Sequence, residues 1–281
     1  MVTVHRNSKA AWSLFPVVSL PFDLVEASQA LVEGDIGDLG VHCCRPVEMD
    51  GIDREILLAE SSGNLGALSV QLQGLTGIGG KLWDSCLVMT WYLALDREQI
   101  EKKTVVELGS GLGLVGIFCA MLGARVTLTD IGEVVPLLEY NIALNSLTIS
   151  ASETDRSVAS TAATHFWGSS TSNLPVAHPD VLVLSDVAYD PEGYFSLVTS
   201  LDLLATEHAV ILMAHRLRNP MEHQFFDLLG EKFAYELVDW ASCFAEYDAL
   251  DDGPPSPSSD QQPANSQRVL QDVNIFSMRH L

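Results

Sequence analysis

Short apolar runs alternate with longer amphipathic stretches along most of the chain from residue 104 onward. Apolar runs of about four to eight residues between turn residues are typical of buried strands, and longer periodic stretches are typical of helices. In order, the pattern predicts strand 104–108, helix 112–122, strand 125–130, helix 133–145, strand 180–185, helix 191–204, strand 208–214 and helix 220–231. This alternation predicts an α/β fold with a Rossmann-like, doubly wound, mostly parallel sheet.

Two more strand candidates, at about 233–241 and 269–278, enclose a tract rich in proline, serine and glutamine. We expect them to form a C-terminal antiparallel strand pair. The tract at 250–267 and the small, polar residues 150–164 are predicted to be flexible loops. Such compositions bury too little apolar surface to offset the entropy lost on ordering.

The first 78 residues are predicted to be an N-terminal extension whose strand segments pack on a main domain at 79–281. The two clearest strand candidates in the extension are Glu55–Ala59 and Ala67–Leu72.

A helix is predicted at about 83–95, where the main domain begins. Leu87, Trp91 and Leu95 form one apolar stripe along it. Asp84 is placed to cap its first turn.

The net charge of the chain indicates which classes of partner it can bind. Acidic residues number 37 and basic residues 15, which gives a net charge of −22. Binding to nucleic acid requires a basic face, so we expect no nucleic-acid partner. The acidity serves solubility in one interpretation and attracts a basic protein segment in the other.

Five scattered cysteines show no spacing typical of metal ligands, so no metal site is expected, and reduced thiols indicate an intracellular protein. No apolar run reaches the ~18 residues of a membrane span. The apolar stretch at 10–22 resembles a weak signal peptide, but two prolines interrupt it. We therefore expect a cytoplasmic location, with the nucleus as the alternative.

The segment Val105–Gly116 is an apolar strand followed by a glycine-rich turn and an apolar helix. Such a turn lets a ligand approach the backbone at the carboxyl end of a parallel sheet. The segment also satisfies the dinucleotide pattern G-x-G-x-x-G, and Asp130 ends the next strand where a ribose-binding carboxylate belongs. Glu107 distinguishes a nicotinamide dinucleotide from a positively charged cofactor as the ligand of this turn. A nicotinamide-binding first strand is usually apolar up to its glycines, whereas a carboxylate here suits a positively charged cofactor.

Several short motifs occur in the order found in the seven-strand methyltransferases. They are Gly80–Ser85, Glu107–Gly113, Thr129–Asp130, Leu138–Asn145, Phe166–Gly168 and Asp186–Tyr189. From about Gly79 to Arg279 the chain resembles the class I S-adenosylmethionine-dependent methyltransferases. It is most similar to the protein-lysine branch that includes the enzyme modifying valosin-containing protein. The extension and the two loops depart from that pattern, and substrate contacts tend to come from such flanking segments.

The resemblance implies S-adenosyl-L-methionine as cofactor and suggests two groups of site residues. The catalytic pair would be Asp186, which holds the nucleophile, and Tyr189, which orients it. The cofactor-binding residues would be Trp83, Glu107, Gly109, Gly111, Gly113, Asp130, Trp167 and Asp186.

Each assignment has a structural alternative. Glu107 would lie near the methionine end of the cofactor, or would be a buried carboxylate satisfied by local N–H groups. Asp130 would bind the ribose hydroxyls, or would cap a helix. Trp167 beside adenine and Trp83 on the methionine side have ordinary core packing as their rival, and Asp186 would otherwise brace the turn that follows it.

The resemblance further implies methyl transfer to a protein side chain, with the lysine ε-amine as the favoured acceptor. The substrate would be a protein, either one with a basic segment or one of the chaperone or ATPase type. Arginine, histidine and small molecules remain alternative acceptors. A NAD-dependent oxidoreductase is a rival that lacks an evident Tyr-x-x-x-Lys pair, and a non-catalytic scaffold is another.

Overall fold

A computed structural model describes residues 41–48, 55–61, 78–150, 160–240 and 272–281 of the chain. The strand candidate Ala67–Leu72, the first part of the predicted loop at 150–164 (residues 151–159), and the tract at 250–267 lie outside these described residues. Within the described stretches, no helix is both long and apolar enough to cross a membrane.

The described elements alternate between strands and helices as the sequence predicts. In chain order they are β1 (Val41–Glu48), β2 (Glu55–Ser61), α1 (Asp84–Leu95), β3 (Thr104–Leu108), α2 (Leu114–Met121), β4 (Arg125–Asp130), α3 (Val135–Ser150), β5 (Ser160–Thr164), β6 (Val181–Ser185), α4 (Tyr194–Leu204), β7 (Val210–Arg216), α5 (His223–Gly230), β8 (Phe233–Val238) and β9 (Val273–His280). Short 3-10 helices occupy Arg97–Gln99, Pro191–Gly193 and Pro220–Glu222.

The main sheet has seven strands in the order β5-β4-β3-β6-β7-β9-β8. The five strands from β5 to β7 run parallel. β9 pairs antiparallel with both β7 and β8. The predicted fold class is therefore confirmed, with one refinement. β9, the last strand in the sequence, lies between β7 and β8, so that β8 forms the edge of the sheet.

One predicted loop is wrong in its last part. Residues 160–164, expected to belong to a flexible loop, form the edge strand β5, which pairs in parallel with β4 from Val126↔Ser160 to Asp130↔Thr164. An edge strand gains its hydrogen bonds from the backbone of one neighbour. A run of small residues therefore suffices, without the apolar run that marks a central strand.

The core lies on both faces of the sheet. On one face, α1, α2 and α3 bury side chains such as Met89, Phe118 and Leu138, and on the other, α4 and α5 bury side chains such as Leu197 and Phe225. Burial of each such side chain contributes about 1.5–3 kcal/mol. Because helices cover both faces, the central strands are mostly apolar, which is why they are easily recognised in the sequence.

Helix α1 differs from its prediction in two respects. Asp84 does not cap it: the N-cap residue is Trp83, which makes no side-chain capping hydrogen bond, and the Asp84 carboxylate instead pairs with Arg216 at 3.1 Å. Trp91 and Leu95 of the predicted stripe are only partly buried. The buried face centres on Leu87, Val88, Met89 and Leu93, because α1 packs against α2 as well as against β7.

Strands β1 and β2 form a separate antiparallel pair, and β2 lies alongside α3. The predicted strand at Glu55–Ala59 is confirmed as β2. The division of the chain into an extension and a main domain stays a prediction.

Candidate active site

The glycine loop between β3 and α2 is fastened to the end of β4 by backbone and hydroxyl hydrogen bonds. The Ser110 N–H donates to the Thr129 carbonyl at 2.9 Å, and the Thr129 N–H donates to the Ser110 hydroxyl at 3.0 Å. The Gly113 N–H closes the turn on the Ser110 carbonyl at 2.8 Å. The loop is therefore held at the carboxyl edge of the sheet by its own neighbours.

The three loop glycines all have left-handed backbone, with φ of 69° at Gly109, 53° at Gly111 and 84° at Gly113. A Cβ atom at Gly113 would lie 2.5 Å from the Leu138 side chain, and one at Gly109 would lie 2.7 Å from Val187. A side chain at either position would therefore collide with neighbouring side chains of the protein.

Residues 78–83 pass over the loop before α1 begins. A Cβ at Gly111 would lie 3.1 Å from the carbonyl oxygen of Gly79. The loop backbone thus faces a second backbone segment, which leaves room for glycine only.

Glu107 is a buried carboxylate at the carboxyl end of β3, with 2% of its surface exposed. Its Oε2 atom accepts the N–H of Gly116 at 3.0 Å, in the first turn of α2. Burial raises its pKa to about 8, against the hydrogen bonds from Ser110 and Gly116, which lower it. The side chain therefore has the local N–H partner that is expected if Glu107 is a buried structural carboxylate. Its suppressed ionisation also makes it responsive to an approaching positive charge.

Asp130 ends β4 directly beside the loop. Its Oδ2 accepts the Gly111 N–H and its Oδ1 accepts the Ile131 N–H, each at 2.8 Å. Burial raises its pKa, while these two N–H groups lower it. The carboxylate remains partly exposed, so each oxygen keeps a lone pair that a hydroxyl group can use.

Trp167 lies on the other side of the loop and is partly buried. Its ring carbon Cζ2 would be 3.2 Å from a Cβ at Gly109, and Cζ3 would be 3.4 Å from one at Gly193. The indole therefore closes the space between the loop and the start of α4. A partly exposed carboxylate at a strand end, an adjacent aromatic ring and a buried carboxylate are groups that could hold S-adenosylmethionine.

Asp186 follows β6 and is the centre of a charged cluster. It has left-handed backbone at φ 60°, which is rare for a residue with a side chain, and 7% of its surface is exposed. Arg218 binds it in a bidentate manner, with its Nη1 atom 2.6 Å from Oδ1 and its Nη2 atom 2.5 Å from Oδ2. Burial opposes ionisation of the carboxylate, but Arg218 and the neighbouring His215 outweigh it and lower the pKa to about 2.

Behind Asp186 lies the fully buried His215, near the end of β7. Its Nε2 atom is 3.1 Å from Oε2 of Glu222, and its Nδ1 atom is 3.4 Å from Oδ1 of Asp186. Oε2 of Glu222 also accepts the backbone N–H of Arg218 at 3.0 Å. The segment after β7 is thereby folded back so that the Arg218 side chain reaches Asp186.

Trp83 is on this acceptor side of the site rather than in the core. It is 37% exposed, and its Nε1–H donates to the Ile78 carbonyl at 3.1 Å. The Arg218 guanidinium carbon lies 5.8 Å from the centroid of its ring. This distance is within the range of a cation–π interaction.

Tyr189 is 48% exposed at the same edge of the sheet. Burial of its hydroxyl raises the pKa, as do the charges of Asp130 and Asp190. Within the described residues, no hydrogen bond joins Tyr189 to Asp186. Its role in orienting a nucleophile stays a prediction.

All the predicted site residues except Trp83 thus lie at the carboxyl edge of the parallel strands or in the loops that follow, and Trp83 lies in the segment before α1. Sequence reasoning missed Arg218 and Glu222, which no motif marks. The signal available was the histidine at position 215, near the end of β7, whose ring is buried between the carboxylates of Asp186 and Glu222.

Taken together, the fold and this site define the class of S-adenosylmethionine-dependent methyltransferases. The sequence model of the lysine methyltransferase family matches residues 64–232. The chain belongs to this lysine methyltransferase family, and its cofactor is S-adenosylmethionine.

Individual relatives agree with this assignment. The chain is 29% identical to the protein N-lysine methyltransferase METTL21A of Danio rerio over 59% of this chain and 73% of the relative. It is 32% identical to METTL21A of Xenopus tropicalis over 56% of this chain and 69% of the relative. Identity to EEF1A lysine methyltransferase 3 of Xenopus tropicalis is 29%, over 58% and 69% of the two chains.

Proposed function

We propose that this site catalyses the methylation of a lysine ε-amine in a protein substrate, with the cofactor on one side and the acceptor amine on the other. The observation that carries the proposal is the position of Asp186, whose carboxylate follows β6 at the same edge of the sheet as the glycine loop and Asp130. Family membership supports lysine as the acceptor.

The cofactor supplies a methyl group on a sulfonium sulfur, which is already activated for transfer. The remaining task of the protein is to orient the acceptor and exclude water. Asp130 would accept hydrogen bonds from the ribose hydroxyls, Trp167 would lie beside the adenine, and the Glu107 carboxyl group would lie toward the methionine end. Trp83 covers that end from the acceptor side.

On the acceptor side, Asp186 receives the N–H groups of the amine and Tyr189 orients it. A lysine ammonium has an ordinary pKa near ~10.4 and must lose its proton before it can attack. Asp186 therefore acts by position rather than as a strong base, since its own pKa is lowered to about 2.

The substrate in this proposal is a protein whose target lysine lies in a basic segment, with a chaperone- or ATPase-type protein as the alternative. The net charge of −22 supports a basic segment, because opposite charge speeds encounter. The relatives named for lysine methylation of proteins support a protein substrate.

The test incubates the protein and radiolabelled S-adenosylmethionine with a lysate of cells that lack it, followed by mass spectrometry. We expect a few labelled bands that carry methyllysine and that disappear with the Asp186→Asn variant. Label on arginine, histidine or small molecules only would overturn the lysine assignment. Absence of S-adenosylhomocysteine binding in a calorimetric titration would overturn the methyltransferase function itself.

The location in this proposal is the cytoplasm, with the nucleus as the alternative. The free thiols of Cys86 and Cys119 support a reducing compartment. Fluorescence microscopy of the tagged protein tests this, and signal confined to a secretory compartment would contradict it.

A further inference from the structure

The Arg218–Asp186 pair occupies the place where the acceptor amine must be held. The guanidinium uses one lone pair on each carboxylate oxygen. Oδ1 also faces the His215 Nδ1 atom at 3.4 Å, whereas Oδ2 keeps a further lone pair, so the carboxylate can still accept an N–H from a second group. The pair is buried on the Asp186 side, whereas the Arg218 side chain is 37% exposed.

Charge at this position has a direct effect on the reaction. A carboxylate beside a lysine favours its ammonium form and raises its pKa, whereas a neighbouring cation has the opposite effect. An unpaired Asp186 would therefore hold the substrate in the form that has no lone pair. A carboxylate that already carries a bidentate guanidinium can orient the amine without adding net negative charge.

We propose that Arg218 is a positioning residue that neutralises Asp186, so that an incoming lysine is oriented by the carboxylate but releases its proton more readily. The ammonium loses one proton to solvent. The lone pair left on nitrogen then forms the new N–C bond while the S–C bond of the cofactor breaks. This inference rests on the proposed function and adds the residue that keeps the acceptor reactive.

The charged and titratable groups around Asp186 support this arrangement. From β7 and the segment after it come His215, Arg218 and, on the following 3-10 helix, Glu222; from α1 come Asp84 and Cys86. Asp84 has its own cation in Arg216 at 3.1 Å, and Glu222 lies against His215. Removal of Arg218 alone would therefore leave Asp186 without the cation that matches it.

Trp83 also contacts the guanidinium. The guanidinium carbon lies 5.8 Å from the centroid of the partly exposed ring, and the same guanidinium binds the buried Asp186. The plane of the guanidinium suits both contacts, which a lysine ammonium at this position could not make together. Arg218→Lys should therefore retain charge but lose the bidentate geometry.

The first experiment counts protons on binding of a defined probe. The probe is an S-adenosylhomocysteine analogue whose sulfur is replaced by a nitrogen bearing an aminobutyl chain, and its partner probe bears a plain butyl chain. Calorimetry in two buffers of different ionisation enthalpy, at about pH 8, gives the protons released by each. The difference between the probes reports the protonation state of an amine held on the acceptor side of the site.

We expect wild type to release more protons with the aminobutyl probe than Arg218→Gln does, because its bound amine has the lower pKa. The shift between the two proteins should be about one pKa unit or more. Arg218→Lys should lie between them. Arg125→Gln, which removes the same charge at the amino end of β4, should match wild type.

Equal proton release by wild type and Arg218→Gln would overturn the proposal. If the variant in addition binds the probe more tightly, Arg218 only competes with the amine for Asp186. If wild type binds neither probe, the proposed function fails instead. Binding of the butyl probe and the melting temperature report whether each variant is folded. Should Arg218→Gln not fold, Arg218→Lys carries the test.

A second readout is the pH profile of kcat on the protein substrate found by radiolabelling. The acid limb for Arg218→Gln should move to higher pH by about one unit or more, with the KM for cofactor unchanged. A uniform loss of kcat at every pH would mean that Arg218 has only a structural role.

Discussion

Carboxylates on the cofactor side of the site are held by backbone N–H groups, whereas the carboxylate on the acceptor side is held by side chains. Glu107 accepts the N–H of Gly116, and Asp130 accepts those of Gly111 and Ile131. Asp186 instead binds Arg218. Backbone groups in a packed loop keep their position, while the partner of Asp186 is a partly exposed side chain.

The difference suits the two tasks. A cofactor is the same molecule in every turnover, so its site gains from a fixed cradle. An acceptor side chain arrives on another protein and must change its protonation state, so adjustable charge is useful there. Substitutions should accordingly affect stability and affinity on the cofactor side, and turnover on the acceptor side.

The largest expected effect is on the free energy of unfolding, and it tests whether the glycine loop is rigid and tightly packed. Gly113→Ala should lower the free energy of unfolding by about 2–5 kcal/mol, from left-handed strain of about 1–2 and overpacking against Leu138 of about 1–3. Gly123→Ala is the matched control. Its φ is 96°, but its nearest obstacle is Glu101 Cγ at 3.8 Å, so it should show the strain alone. Urea denaturation measures both, and equal losses would mean that packing at Gly113 is loose.

The acceptor side should respond in turnover. Asp186→Asn keeps a residue that tolerates left-handed backbone but removes the charge, so it should lower kcat about 100-fold through misplacement of the amine. Cofactor affinity should change little. Tyr189→Phe should show a smaller effect of the same kind. Parallel loss of cofactor affinity and melting temperature in Asp186→Asn would show that Asp186 is only structural.

The opposite outcome is expected at Asp130. Asp130→Ala removes the hydroxyl acceptor and leaves two loop N–H groups without a partner, so cofactor binding should weaken by about 1–3 kcal/mol. Saturating cofactor should restore most of kcat. Asp130→Asn keeps one acceptor oxygen and should lose less. Titration calorimetry measures the affinities, and a kcat that stays low at saturation would break the contrast between the two sides.

The smallest effect, when counted per pH unit, is a pH dependence on the cofactor side. The pKa of Glu107 is about 8 in the folded protein and 4.5 for an ordinary glutamate, so its contribution to stability is full below the lower value and is lost as pH rises toward the upper one. The unfolding free energy should fall by at most about 1.4 kcal/mol per pH unit between them. Glu107→Gln should lack this component. Parallel curves for the two proteins, from urea denaturation between about pH 5 and 8, would contradict it.

Central strands could be predicted from the sequence because their apolar runs are a direct result of burial on both faces. β3 and β4 have the predicted bounds. β5 could not be recognised, since Ser160–Thr164 is a strand only through its pairing with β4. The insertion of β9 between its neighbours likewise depends on long-range pairing that leaves no local pattern.

The same distinction applies to the site. Glu107, Asp130 and the loop glycines were predictable because the loop and the strand ends come from consecutive segments whose geometry is local. Arg218 was not, because its contact with Asp186 depends on where the segment after β7 turns. That turn is fixed by Glu222 through its hydrogen bond to the Arg218 N–H.

Because β9 lies between β7 and β8, the sheet can be completed only after β9 has been synthesised. β8 is synthesised before residues 239–272, yet its partner in the described sheet is β9. Until β9 leaves the exit tunnel, β7 presents an open edge of unpaired N–H and C=O groups to the cell. The cofactor half of the sheet can assemble on the nascent chain without it. His215 and Arg216, which lie opposite Asn274 and Val273, become fixed only when this late strand is inserted.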